Sequence, residues 1–266
     1  MRVHGLIIDP QEDFCNPTNG TLYVGGAEHD MERLATLVRR IGAEVEAFHV
    51  TLDSHHTLDI AHPIWWKDPD GAHPAPFTII TLAEIDAGRW RTSDPAAHVR
   101  SREYVRLLEA HGRYPLCIWP YHCLIGTPGH AVAPDLRAAL QEWEKARLRP
   151  VDFVHKGSNI WTEHYSAIQA DVPDPADPST QTNRALVASL AEADLIFVAG
   201  EASSHCVANT VRDLAAAFGD DRQLAKVVLL TDATAPVPGF EAYAEAFLAE
   251  MLPRGLRTAT TQDFAL

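Results

Sequence analysis

VHGLIID (Val3–Asp9) is an apolar run of strand length that ends on a carboxylate. Strands buried on both faces show no polar alternation, and they occur in parallel sheets covered by helices on each side. The segment therefore predicts a central strand that delivers Asp9 at its carboxyl end. Downstream, Met31, Leu34, Leu37, Val38 and Ile41 recur at helical spacing, and Gly42 sits where a helix stop is expected. EVEAFHVTLD (Glu44–Asp53) reads as a second strand, and PVDFVHKG, DLIFVAGE and KVVLLTDA supply further strand-length runs. Helical patterns near 131–147, 183–193, 205–218 and 240–252 lie between or after them, and a last strand is expected over Leu256–Phe264. This alternation predicts an α/β fold in three layers, a mainly parallel sheet with helices on both faces.

The stretch from Thr57 to Cys117 breaks the rhythm, being rich in Pro, His, Trp and Asp before a helical pattern at Arg102–Ala110. Trp65, Trp66, Phe77, Ile79 and Ile80 give it apolar content of its own. A folded cap, inserted at about 57–117 into a single domain spanning 1–266, is the expectation. Trp65 and Trp66 are placed either in the pocket or at a dimer contact. A second Pro/Asp-rich loop follows at Val172–Pro178.

With 266 residues and 46% apolar side chains the chain can bury a large core. Its net charge of -14 argues against nucleic acid or an anionic membrane as partner and leaves a small neutral or cationic substrate. Met1 leads directly into the first strand with no signal-peptide pattern, and no apolar run is long enough to span a bilayer, so a cytoplasmic protein is expected. Cys15, Cys117, Cys123 and Cys206 are too few and too irregularly spaced for a disulfide framework and are read as free thiols.

Ligands of doubly wound sheets bind beyond the carboxyl ends of the strands. Those ends here offer Asp9, Asp53 with His55, Lys156, and the GEASSHC turn that runs into Cys206. Cys206 opens a helical pattern, with Ser203 or Ser204 as its expected cap. Helix N-terminal charge and a nearby Lys156 would favour the thiolate, as a nucleophile requires. The plainer reading of Cys206 is a small buried hydrophobe. Asp9 has the placement of a general base, although strand-end aspartates commonly cap helices instead. Asp53 and His55 are two apart and fall on one face of an extended segment. With His122, in IWPYHCLIGTPG, they make a candidate metal set of one carboxylate and two imidazoles that leaves positions open, zinc first, manganese or iron as alternatives. His56 and His62 either assist it or are surface histidines; Cys117 and Cys123 are read as packing residues.

Once these pieces are assembled, the chain resembles the nicotinamidase branch of the isochorismatase-like cysteine hydrolases. IIDPQEDFCNP resembles the opening strand with its aspartate, LDSHH the first metal motif, IWPYHCLIGTPG the second, FVHKG the lysine motif, and VAGEASSHCVANT the nucleophile turn. The resemblance implies a hydrolase acting on carboxamide carbon–nitrogen bonds, with Asp9, Lys156 and Cys206 as catalytic residues and Asp53, His55 and His122 holding a divalent metal. It implies a cis peptide at Glu201–Ala202, an oxyanion hole from the Ala202 and Cys206 backbone N–H groups, Phe14 and Trp119 around the substrate ring, His62 as a further metal ligand, and a homo-oligomer. Ser203-Ser204 replaces the threonine-aspartate pair common in that branch, and Glu201 replaces an apolar residue. A related hydrolase of N-carbamoyl, ureide or maleamate-like amides is the nearest alternative, and a non-catalytic binding protein on the same fold is the other.

Overall fold

The computed structural model describes residues 1–266. In chain order it runs β1 (Val3–Ile8), α1 (Glu12–Cys15), α2 (Ala27–Ile41) and β2 (Val45–Asp53). Next come β3 (Trp66–Lys67), β4 (Ile79–Ile80), α3 (Leu82–Asp86), β5 (Arg91–Thr92), α4 (His98–Ala110), β6 (Leu116–Cys117) and α5 (Pro134–Arg147). The remainder is β7 (Asp152–Lys156), α6 (Arg184–Glu192), β8 (Leu195–Gly200), α7 (Cys206–Phe218), β9 (Val227–Leu230), α8 (Glu241–Met251) and β10 (Arg257–Ala259).

All residues of β1 are buried, as the unbroken apolar run requires. It lies at the centre of a six-stranded sheet ordered β10-β9-β8-β1-β2-β7, in which every neighbouring pair is parallel. The chain steps outward from β1 through β2 to β7, then crosses back to place β8 on the other side of β1. Strand order thus reverses beside β1, which opens a crevice at the carboxyl ends of β1 and β8. Helices flank the sheet: α2 packs on α5, while α6 and α8 pack on α7. No helix is long and apolar enough to cross a membrane.

Phe48 of β2 is wedged between Trp143 of α5 and Phe197 of β8, at ring-centroid distances of 4.9 and 6.0 Å. Gly5 makes room for this stack, because a Cβ there would stand 2.6 Å from the Phe197 ring and 2.7 Å from Phe48. Gly42 ends α2 as expected, but with φ of -56° rather than in the left-handed region. Its role is proximity: Trp143 Nε1 donates to the Gly42 carbonyl at 3.0 Å, and a Cβ would sit 3.2 Å from the indole.

Two expectations are corrected. The last strand is only Arg257–Ala259 long, because the Asp232 carboxylate accepts from both the backbone and the hydroxyl of Thr261 and draws the chain off the ladder. Trp65 and Trp66 neither enter the pocket nor face solvent. They are buried in the segment following β2, Trp65 Nε1 donating to Ser101 Oγ (3.0 Å) and Trp66 Nε1 to the Ile60 carbonyl (2.7 Å). The helix of this segment starts at His98, ahead of the expected Arg102.

Gly5→Ala overpacks the aromatic stack and is expected to cost about 1–3 kcal/mol of unfolding free energy, read from the shift in a denaturant midpoint.

Candidate active site

Asp9 stands one residue beyond β1 at φ 43°, a left-handed turn that few side chains adopt, and it is fully buried. Thr51 of β2 holds it twice, accepting from the Asp9 N–H at 2.9 Å and donating its hydroxyl to Oδ1. Lys156 ends β7, and its ammonium reaches Asp9 Oδ2 at 2.8 Å, Asp53 Oδ1 at 3.1 Å and Cys206 Sγ at 3.6 Å. Burial acts to lower the Lys156 pKa, but Asp53 and Asp9 outweigh it and keep the ammonium protonated well above the usual range. Burial also works against Asp53, yet His55, Lys156 and the hydrogen bonds from its imidazole neighbours hold it well below the usual carboxylate range. Asp9 differs: burial raises it, and Lys156 only partly compensates.

Cys206 is the first residue of α7, as expected, but the cap is not a serine. His205 is the N-cap residue and makes no capping side-chain bond, while Ser204 Oγ pairs with His205 Nδ1 and accepts from the Val237 N–H. The expectation of a resting thiolate is also corrected. Burial drives the Cys206 thiol well above its usual range, and Lys156 does not offset it. Asp9 and the Cys206 sulfur share the Lys156 ammonium, at 2.8 and 3.6 Å, which places a carboxyl beside the thiol. A cis peptide joins Glu201 to Ala202. The backbone N–H groups of Ala202 and Cys206 donate to no acceptor in the protein.

Asp53, His55 and His122 converge with their ligating atoms within 4.8 Å of one another, all three side chains buried. Each imidazole is oriented through its Nδ1: His55 against Asp59 Oδ2 (3.2 Å), His122 against the Pro120 carbonyl (2.8 Å). Both then present Nε2 to Asp53 Oδ2, at 3.0 and 3.4 Å. Fixing one ring nitrogen so that the other can ligate is how metal-binding histidines are held. His62 follows the same pattern, its Nδ1 on the Thr57 carbonyl and its buried Nε2 without a partner, with its ring 5.3 Å from that of His55. Burial lowers the His62 pKa to about 4, so it presents a lone pair at neutral pH. His56 is exposed and stands apart.

A cavity of about 20 Å³ opens beside Cys206, walled by Phe14, Leu22, Trp119, Tyr165, Val237 and the Glu163 carboxyl. That holds roughly one water, so admitting an aromatic carboxamide requires the walls to draw apart. Phe14 and Trp119 were legible in sequence. Tyr165, fixed by the Trp119 indole at 2.9 Å, and Glu163 were not. Burial pushes Glu163 up to about 8, and its Oε2 has no partner. Thr51 had an available signal, because it lies two residues from Asp53 on one face of a strand.

By sequence, no family model matches the chain, and no curated protein does. The solved structures are more informative. The Acinetobacter baumanii nicotinamidase/pyrazinamidase superposes with a TM-score of 0.65 at 19% identity, covering 98% of this chain and 97% of that one. The chain has the nicotinamidase fold. The yeast nicotinamidase aligns with the same TM-score of 0.65 at 18% identity, over 97% of this chain and 99% of its own. A Pyrococcus horikoshii pyrazinamidase in complex with zinc aligns at 0.58 and 18%, over 98% and 99% of the two chains. In this nicotinamidase fold the deciding sequence feature, a buried first strand ending on Asp9, lies next to the strand-order reversal.

Lys156→Met removes the only cation between two buried carboxylates. It is expected to destabilise the protein by about 3–5 kcal/mol in denaturant unfolding, whereas removing an exposed partner such as Arg222 should leave the midpoint nearly unchanged.

Proposed function

We propose that this protein is a metal-assisted cysteine amidohydrolase that converts nicotinamide, or a close carboxamide relative, and water to the carboxylate and ammonia. The observation that carries this reading is the meeting of the Asp9 carboxyl, the Lys156 ammonium and the Cys206 thiol in one buried cluster, with two unused backbone N–H groups beside the sulfur. A protein that only bound its ligand would have no need to bury an ion pair against a thiol.

Asp9 takes the Cys206 proton as the sulfur attacks the carboxamide carbon. Lys156 stays protonated and stabilises the charge that passes between sulfur and carboxylate. The N–H groups of Ala202 and Cys206 receive the developing oxyanion. As the tetrahedral species collapses, the carbon–nitrogen bond breaks and Asp9 returns its proton to the leaving ammonia. Asp9 then deprotonates a water that attacks the thioester, and Cys206 leaves with a proton again. Phe14, Trp119 and Tyr165 would flank the ring once the cavity opens.

Asp53, His55 and His122, with His62 adjacent, would hold a divalent metal, zinc being first by donor type and manganese or iron next. When bound, the ion supplies a Lewis-acidic site for the ring nitrogen. The zinc complex of the Pyrococcus horikoshii protein and the anchoring of the His55 and His122 Nδ1 atoms on Asp59 and Pro120 support this assignment. The same reading takes the chain as one catalytic domain with residues 57–117 as its cap, acting as a homo-oligomer in the cytoplasm, where four free thiols fit a reducing compartment.

Incubation with nicotinamide should release ammonia stoichiometric with nicotinate, and Cys206→Ala should lower kcat by about 10⁴-fold. Unchanged turnover in that variant would exclude the covalent route, and cleavage of N-carbamoyl or maleamate-like amides in preference to nicotinamide would transfer the site to the related hydrolases. About one zinc per chain is expected by elemental analysis, and His122→Ala should lose it.

A further inference from the structure

The wall of the cavity beside Cys206 holds more hydrogen-bonding groups than the proposed reaction uses. Most of them are engaged with one another. Asp53 and His122 face each other in the candidate metal set at 3.4 Å, the Tyr165 hydroxyl accepts from the Trp119 indole at 2.9 Å, and His205 Nδ1 pairs with Ser204 Oγ at 2.9 Å. Glu163 differs. It lines the same cavity, it is buried, and its Oε2 has no hydrogen-bond partner in the protein. A buried carboxyl oxygen without a donor is costly to keep, so its retention at a ligand cavity calls for a group that it meets there.

Glu163 is held at the wall by its backbone. Its N–H donates to the Tyr104 hydroxyl at 2.9 Å, and its carbonyl accepts from the Asp171 N–H at 2.9 Å and from Thr162 Oγ1 at 3.1 Å. Tyr104 is a buried residue of α4, so the segment 57–117 reaches the site through this bond. Tyr165 is tethered in the same way, its N–H donating to Asp171 Oδ2 at 3.1 Å. These bonds account for where the residue stands without engaging its carboxyl.

The charges behind the wall indicate what the carboxyl would meet. Asp59, Asp53 and Asp171 add negative charge at Glu163, and together with burial they outweigh His55. Such a field favours a ligand group that carries hydrogen over one that presents a lone pair. A carboxyl accepts at one oxygen whether or not it holds a proton, so the preference does not depend on its ionisation. We propose that Glu163 is a specificity-determining residue whose carboxyl accepts a hydrogen bond from a ring substituent, the preferred substrate being an aromatic carboxamide that bears an amino or hydroxyl group. Unsubstituted nicotinamide has no donor outside its carboxamide and would leave Oε2 unpaired. This inference rests on the amide-hydrolase reading and narrows its substrate class.

The experiment measures kcat/KM for nicotinamide and for its amino, hydroxyl and methyl derivatives at each free ring carbon, in wild type, Glu163→Gln and Glu163→Leu. Methyl matches the other two substituents in size and donates nothing, and the intrinsic reactivity of each compound cancels when ratios are compared between proteins. At one ring carbon, wild type should favour amino or hydroxyl over methyl by about 10- to 100-fold. Glu163→Gln, whose amide oxygen still accepts, should keep part of that preference, and Glu163→Leu should lose or reverse it. Zinc content by elemental analysis should be the same in all three proteins. Equal ratios in wild type and Glu163→Leu would overturn the proposal. Loss of zinc in Glu163→Leu would overturn it too, making the residue a metal ligand instead. Should Glu163→Leu fail to fold, the absence of any preference over methyl at every ring carbon in wild type overturns it without the variant. If wild type releases ammonia from none of these compounds, the hydrolase reading fails. Calorimetric titration of the same series into wild type then decides the role of Glu163 by itself, tighter binding of an amino or hydroxyl derivative than of its methyl counterpart supporting it and equal affinities overturning it.

Discussion

The Lys156 ammonium, lodged between the carboxylates of Asp9 and Asp53 and 3.6 Å from the Cys206 sulfur, is the interaction around which the rest is arranged. An ion taken out of water costs several kcal/mol unless its partners are held in place, and here the partners come from different strands. β1 delivers Asp9, β2 delivers Asp53 and Thr51, β7 delivers Lys156, and the turn after β8 delivers Cys206. A parallel sheet is the scaffold that sets four strand ends side by side. The strand-order reversal next to β1 provides the gap into which they point.

The cluster joins two chemistries through a shared residue. Asp53 accepts from Lys156 on one oxygen and faces the imidazoles of His55 and His122 on the other. A metal held by Asp53 would therefore be coupled electrostatically to the ammonium beside the Cys206 sulfur. Burial outweighs the ammonium and raises the Cys206 thiol, so in the proposed reaction the sulfur hands its proton to Asp9 at the moment of attack. Asp9 suits that task because burial has raised it, unlike Asp53, which its positive neighbours hold ionised.

Much of this was legible in the residues. The apolar run Val3–Ile8 fixed the sheet type, and Asp9, Lys156 and Cys206 stood out because each follows a strand-like run. Asp53 and His55 were visible through the two-residue period of an extended chain, and His122 through its motif. What was not legible came from long-range packing. Nothing local marks Glu163 or Tyr165 as cavity walls, because they reach the site from a loop lacking periodic pattern. The Ser203 or Ser204 cap failed because Ser204 bonds the chain near Val237, 33 residues away, rather than its own helix. Trp65 and Trp66, expected in the pocket or at a dimer contact, instead pack within the segment after β2, satisfied by Ser101 and the Ile60 carbonyl.

The central claim is that Cys206 forms the covalent bond to the substrate while Asp9 carries the proton. Acid-quenched mass spectrometry of the protein incubated with a slowly deacylating carboxamide tests it directly. The account predicts an acyl adduct on the Cys206 peptide that rises and decays with ammonia release and is lost in Asp9→Asn. Ammonia release with Cys206 unmodified at every time point would contradict it.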